Sequence, residues 1–296
     1  MQSLNAPKSF ALAYKEGAGK EAEAVADFLK SHGAQVLENC PLQDKKLAEC
    51  VSSGQVDVFI ALGGDGSMLS ASHLCAKAKV PILGINMGSF GFLMELQKND
   101  WREYLPRLLN GDYRKEERML LLAQLWHGKT LKQSWEVVNE VVVCRGKQVK
   151  PIHLFASVNG YAMSSYVADG LIVATPTGST AYALAAGGAI LPPELRNMLI
   201  VPVAPHLSLD RAIILSEGST VTITAGNHHE VVLSADGHEA YPLGKDDVVK
   251  VASSPNNVSF IRFHDPGYFY RNLNRYIEQN PSTNAKSPFC RSALYR

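Results

Sequence analysis

The stretch from Val56 to Leu69 constrains this chain more than any other: Val56–Leu62 is an apolar, β-forming run that stops at Gly63-Gly64-Asp65-Gly66. A run of that length closed by glycines reads as a buried strand. Ser67 then offers an N-cap to a helix that continues through Met68 and Leu69. Strand, tight turn and helix start bring backbone N–H groups and the positive end of a helix dipole to one place, which suits phosphate. Asp65 is the misfit. A carboxylate beside a phosphate is unfavourable unless it handles a proton or a metal, and a turn that only reverses the chain has no need of one.

The residues before and after this stretch read as an open α/β unit. Phe10–Tyr14 is a short strand. Ala22, Val25, Ala26 and Leu29 then recur at helical spacing, and Gly33 closes that helix. Ala34–Leu37 predicts a second strand, Asp44–Ser52 a helix, and the segment after Asp65 a helix to about Lys77. The strand Val80–Ile85 runs into Asn86-Met87-Gly88-Ser89-Phe90-Gly91-Phe92-Leu93. Strands alternating with helices imply a parallel sheet, and such sheets bind ligands beyond their C-terminal strand ends. Both glycine loops follow strands, so both are expected on that edge. Gly19-Lys20 does not make a P-loop: Tyr14 stands where a glycine is needed, and Glu21 where Ser or Thr is needed.

From about Arg114 the period changes. Met119–Trp126, Trp135–Cys144, Ile152–Val158, Leu171–Ala174, Leu199–Val203, Ala212–Leu215, Thr220–Ala225, Val231–Ala235, Val248–Ala252 and Val258–Phe263 all read as strands between turn signals. Many short strands with few helices predict a β-sandwich or related packed-sheet domain. The expected division is therefore an α/β domain over 1–111 and a β-rich domain over 112–264. A helix over 265–278 returns to the first domain, and a weakly ordered Pro/Ser/Asn-rich tail covers 279–296.

Composition narrows the partners. The formal net charge is +1 with no basic run, which argues against a nucleic-acid footprint and a membrane-surface patch. Five cysteines without C-x-x-C spacing, and no signal-like apolar core in Met1–Ser9, lead us to expect a reduced, cytoplasmic protein without membrane spans. The Asn257-Val258-Ser259 sequon is then a chance match.

Three stretches in the second half carry further chemistry. Asn139-Glu140 interrupts the apolar run Val137–Val143, so one of the pair faces inward whichever face is buried. It marks either an exposed edge or recognition of a polar ligand, with Asn suited to an adenine edge and Glu to a sugar hydroxyl. Asp169-Gly170 leads through a strand to Thr175-Pro176-Thr177-Gly178-Ser179-Thr180-Ala181-Tyr182, and a small-residue helix follows through Gly187-Gly188. Hydroxyls and N–H groups at a helix start bind phosphate or sugar oxygens, although Ser and Thr also fill ordinary caps. Asp236-Gly237-His238 lies between strands and also fits a plain hairpin turn. His228-His229 reads as a solvated turn, and no histidine spacing suggests a metal.

Taken in order, Gly63–Ser67, Gly84–Asn86 through Gly91-Phe92-Leu93, Asn139-Glu140, and Asp169-Gly170 through Tyr182 with Gly187-Gly188 resemble the NAD kinase family over roughly residues 10–275. The Gly-Gly-Asp-Gly element alone is shared with phosphofructokinases and diacylglycerol-type lipid kinases. The combination with Asn139-Glu140 and the Thr175–Tyr182 turn is much more specific. The resemblance implies a Rossmann-like N-terminal domain, a β-rich C-terminal domain and an active site between them. It implies phosphorylation of the adenosine-ribose 2′-hydroxyl of NAD by ATP or polyphosphate with a divalent cation such as Mg²⁺, in a homodimer or homotetramer. Carried over by motif, Asp65 is the general base. Asp65, Gly66, Asn139, Glu140, Asp169, Thr177, Thr180, Ala181, Tyr182, Ala183, Leu184 and Ala185 contact the dinucleotide, with Ala204 and His238 as further contacts. Lys150 and Val167 also stand at ligand-contacting positions. Val167 departs from the pattern, since arginine is common there; either Lys150 supplies the lost phosphate contact or the affinity is lower. Ser70 likewise stands where some members carry arginine. The alternatives are a lipid or sugar kinase with the same Gly-Gly-Asp-Gly loop, and a dinucleotide sensor without turnover.

Overall fold

A computed structural model describes residues 6–88, 91–206, 209–226 and 230–278. Both the tail 279–296 and His228-His229 lie outside the described residues. The chain divides into two compact units, one of residues 1–115 with 260–296 and one of residues 116–259.

In the first unit the strands Gln35–Pro41, Ser9–Tyr14, Val58–Gly63 and Ile82–Asn86 lie side by side in that order, all parallel. Val58–Gly63 is buried along its whole length, as its continuous apolar sequence requires of a strand covered on both faces. The helix Gly19–Ser31 packs Ala22, Val25, Ala26 and Leu29 into a core with Phe10, Leu12, Ile60 and Ile85. A second helix in that core, Trp101–Leu109, is absent from the sequence reading, which assigns no element between Leu93 and Asn110. Trp101, Leu105 and Leu108 nevertheless bury one helical face. Ile261 and Phe263 join the same cluster, Phe260 pairs in parallel with Ile82, and the helix Tyr268–Glu278 follows.

The second unit is a sandwich of antiparallel sheets. One sheet orders Ile213–Ser216, Asn197–Val203, Gly170–Ala174, Glu140–Arg145, Val231–Ala235 and Tyr241–Leu243. The other pairs Tyr161–Ala168, Ile152–Val158, Thr220–Ala225 and Asp247–Arg262 in order, with the hairpin Arg114–His127 and Thr130–Val137 beyond. Val141, Leu171, Leu233 and Met198 of the first sheet meet Leu121, Leu154, Ile223 and Val251 of the second in one buried core. Three strand expectations need correction. Trp135–Cys144 is two strands in different sheets, broken at Val138-Asn139; Val248–Ala252 and Val258–Phe263 are parts of one strand, Asp247–Arg262; and Tyr161–Ala168 is a strand the sequence reading omits. The small-residue helix expected through Gly188 is shorter: a 3₁₀ turn at Gly178–Thr180, then Tyr182–Ala185.

Candidate active site

In the first unit Gly63 pairs with Asn86, and the Gly63 carbonyl accepts the Met87 N–H at 2.7 Å. The two glycine loops therefore leave the sheet together. Ser67 is not the N-cap expected from its sequence position. Gly64, in extended conformation, caps the helix Asp65–Cys75, and Ser67 is its third residue. The Gly64 carbonyl accepts the Ser67 N–H at 2.8 Å, while the Ser67 hydroxyl reaches back toward the Gly64 N–H at 3.4 Å. The helix thus begins three residues earlier than the serine suggests, and Asp65 occupies its first position.

Asp65 joins the two loops. Its Oδ2 accepts the Phe92 N–H at 2.9 Å, and its Oδ1 accepts the Leu93 N–H at 3.0 Å. The carboxylate lies so close to Gly91 that a β-carbon there would sit 2.3 Å from Oδ1, so only glycine fits. Burial raises the Asp65 carboxyl above its ordinary range, against the pull of the Leu93 and Phe92 N–H groups and of Arg262. A base held in place and made more basic by desolvation can take a proton from a hydroxyl.

Behind this carboxylate stands a buried charged group that the sequence reading does not single out. Arg262 donates to the Leu93 carbonyl at 3.0 Å and to Glu95 Oε2 at 3.2 Å. Glu95 Oε1 accepts the Phe263 N–H at 2.6 Å and lies 2.8 Å from His264 Nδ1. Burial pushes the Glu95 carboxyl up, but His264, Arg262 and the Phe263 N–H outweigh it and hold the group below its ordinary value. The available signal was a charge inside each of two apolar runs, Phe92–Leu96 and Val258–Phe263.

In the second unit the predicted residues gather at two ends of one strand pair. Ala174 pairs with Glu140, and Gly170 with Cys144. Asn139, Glu140, Thr177, Thr180 and His238 lie at the first end, where Asp236 closes the strand Val231–Ala235. Asp169, Val167, Ala204 and Arg145 lie at the second, about 17 Å away at ~3.3 Å per residue. Lys150 is exposed on the loop that leaves Arg145. Burial, then the charges of Cys144, Asp169 and Glu140, raise the Tyr182 phenol against the pull of Arg145.

The first end is built around Asp236, which sequence places only in a turn. Asp236 and Gly237 both have positive φ, 49° and 71°, as a hairpin turn of this kind requires. The Asp236 carboxylate also accepts the N–H groups of Val138 and Asn139, both at 2.7 Å, and of Glu140 at 3.2 Å. These bonds replace the ladder where the chain leaves one sheet for the other, so Asn139 sits in the break rather than within a strand. The Thr175 N–H donates to the Asn139 carbonyl at 2.8 Å, and a β-carbon on Gly178 would lie 2.1 Å from that oxygen. Thr177 is buried and accepts from Arg118 Nη1 at 3.1 Å; Arg118 in turn pairs with buried Glu116. Ala183 is fully buried, its side chain packed with Val142, Ile172 and Leu199, while Tyr182 and Ala185 are exposed.

Glu140 is the polar group here left incomplete. It is buried, its Oε2 has no hydrogen-bond partner among the described residues, and burial followed by the neighbouring Asp236 charge raises its carboxyl to about 8. At the far end Arg145 Nε lies 3.1 Å from Asp169 Oδ1, a cation beside Val167 that the sequence reading does not name. Ala204 holds a left-handed backbone, φ 45°, at the end of its strand. Among the described residues no group of three or more His, Cys, Asp or Glu could hold a metal ion.

Residues 4–113 match the family description "ATP-NAD kinase N-terminal domain" and residues 138–263 "ATP-NAD kinase C-terminal domain". A relative from Symbiobacterium thermophilum, named NAD kinase, is 40% identical over 219 residues, covering 73% of this chain and 77% of its own. Yeast NADH kinase complexed with NADH has the same fold, with a TM-score of 0.79 at 23% identity, covering 96% of this chain and 91% of that one. An NAD kinase from Archaeoglobus fulgidus in complex with ATP gives a TM-score of 0.70 at 24% identity, covering 92% and 99%.

Proposed function

Because this chain belongs to the NAD kinase family, we propose that Asp65 removes the proton from the adenosine-ribose 2′-hydroxyl of NAD as that oxygen attacks the terminal phosphoryl group of ATP. The new O–P bond forms as the bond to the departing ADP breaks, and the proton passes to the Asp65 carboxylate. The products are NADP and ADP. This transfer is mainly positioning and electrostatics, so the chain needs no covalent nucleophile. First-turn N–H groups of the helix Asp65–Cys75 favour the phosphate charge.

The observation that carries this reading is the Asp65 carboxylate, pinned by two N–H groups at a helix start on the C-terminal edge of a parallel sheet. On the second unit we assign Asn139 and Glu140 to the adenosine moiety. The unpartnered Glu140 Oε2 is a polar atom that a sugar hydroxyl would satisfy. Gly66 belongs with Asp65 in this assignment. Asp169, Thr177, Thr180–Ala185, Ala204 and His238 hold the rest of the dinucleotide, with Lys150 and Val167 beside them. Among the described residues no cluster of three or more His, Cys, Asp or Glu is placed to hold a metal by itself, and no step here runs through one. The expected Mg²⁺ belongs with the donor's phosphates, as is usual for this cation.

Incubation of the purified protein with NAD, ATP and Mg²⁺ should yield NADP; polyphosphate replaces ATP in a second arm. NAD binding without NADP from either donor would mark a sensor, and turnover only of lipid or sugar acceptors would mark the alternative kinase. A homodimer or homotetramer in the cytoplasm completes the proposal, and sedimentation of the pure protein tests the assembly. No helix among the described residues is long and apolar enough to cross a membrane.

A further inference from the structure

The carboxylate of Asp65 is held by the N–H groups of Phe92 and Leu93, and the carbonyl of that same Leu93 is held by Arg262, 169 positions along the chain. Arg262 is buried, as is its partner Glu95, three residues from Phe92. A buried charge pair is a weak source of stability, because desolvation offsets most of its attraction. Two charges buried together here, within the short runs Phe92–Leu96 and Val258–Phe263, therefore call for a reason other than packing.

We propose that Arg262 is a positioning residue for the phosphoryl transfer: it fixes the Phe92–Leu93 segment that orients the Asp65 carboxylate and sets a positive charge beside it, with Glu95 tuning that charge. The inference rests on the reading of Asp65 as the base. Arg262 is the charged side chain whose field acts on Asp65, and it favours the ionised carboxylate. Glu95 stands behind Arg262 with His264 at 2.8 Å, and Lys15 lies along the neighbouring Gly88 turn. Without Arg262 the carboxylate keeps its proton to higher pH. Without the Glu95 charge, Arg262 is less balanced and the carboxylate ionises at lower pH.

The test is the pH profile of kcat/KM for NAD phosphorylation in four variants of the full chain. In Arg262→Gln the acid limb should move up by roughly one pH unit, a tenfold loss of rate on that limb, with kcat affected more than KM. In Arg262→Lys, which keeps the charge, the limb should stay near its original place. In Glu95→Gln it should move down. A purely structural pair would instead lower melting temperature and activity without displacing the limb, or displace it the same way in both Gln variants, and either result overturns the proposal. If Arg262→Gln does not fold, the Lys variant and Glu95→Gln decide: an unmoved limb in Glu95→Gln overturns it. Asp65→Asn separates the two failures, because retained turnover there rejects Asp65 as the base whatever Arg262 does.

Discussion

The carboxylate of Asp65 rests against the Cα of Gly91, with no room for a β-carbon between them: one built there would stand 2.3 Å from Oδ1. The acid and the glycine come from different loops, and the contact fixes how close those loops approach. Gly91→Ala must push the carboxylate off the Phe92 and Leu93 N–H groups. We expect kcat for NADP formation to fall by about 10²-fold, as misplacements of about 1 Å commonly cost, with little change in KM for NAD. A kcat within a factor of two of the parent would show that the base tolerates displacement.

Gly178 makes a comparable approach to the Asn139 carbonyl in the second unit. The obstacle is backbone, so Gly178→Ala cannot be relieved by a rotamer change. It should destabilise the protein by about 1–3 kcal/mol, as overpacking does, and raise KM for NAD by displacing Asn139 and Glu140. Chemical denaturation and steady-state kinetics check both.

Asp236 holds the strand break through three N–H bonds. Asn has a single acceptor oxygen, so Asp236→Asn leaves at least one buried donor unmet at a cost of about 1–3 kcal/mol. It also removes the charge that raises the Glu140 carboxyl, which should then ionise at lower pH. Carboxyl chemical shifts of Glu140 followed by NMR would register the second effect, and denaturation the first.

Glu140 makes stability depend on pH with a definite sign. Its carboxyl is raised from 4.5 to about 8 in the folded chain. Between those values the folded chain keeps a proton that the unfolded chain has released. Stability from this group is therefore whole below 4.5 and is lost as pH rises toward 8, by up to about 1.4 kcal/mol per pH unit. Glu140→Gln should flatten the dependence between pH 5 and 8 in denaturation of the ligand-free protein. An unchanged slope would mean that the folded Glu140 is ionised throughout.

Much of this architecture was legible in the sequence because its signals are local. Val58–Gly63 is apolar throughout, so it reads as a buried strand, and alternation with helices gives the parallel sheet. Helix Trp101–Leu109 was obscured by Pro106, a usual breaker that the structure accommodates in the last turn. Asn139-Glu140 stood out as polar residues in an apolar run, but the break between sheets depends on Asp236, nearly a hundred residues away. Nothing local could reveal that bond. Arg262 was hidden in the same way: its partners, Leu93 and Glu95, lie more than 160 positions off, and only the fold brings them together.

Asp65→Asn tests the role of Asp65 as the base that takes the ribose-hydroxyl proton, because Asn keeps the side-chain shape and one of the two acceptor oxygens while removing the base. Turnover of NAD with Mg-ATP and NAD binding by calorimetry should be measured on the same sample. Turnover should fall by about 10²–10⁴-fold, the usual contribution of a general base, with NAD affinity kept. Turnover within a few-fold of the parent would contradict that role for Asp65.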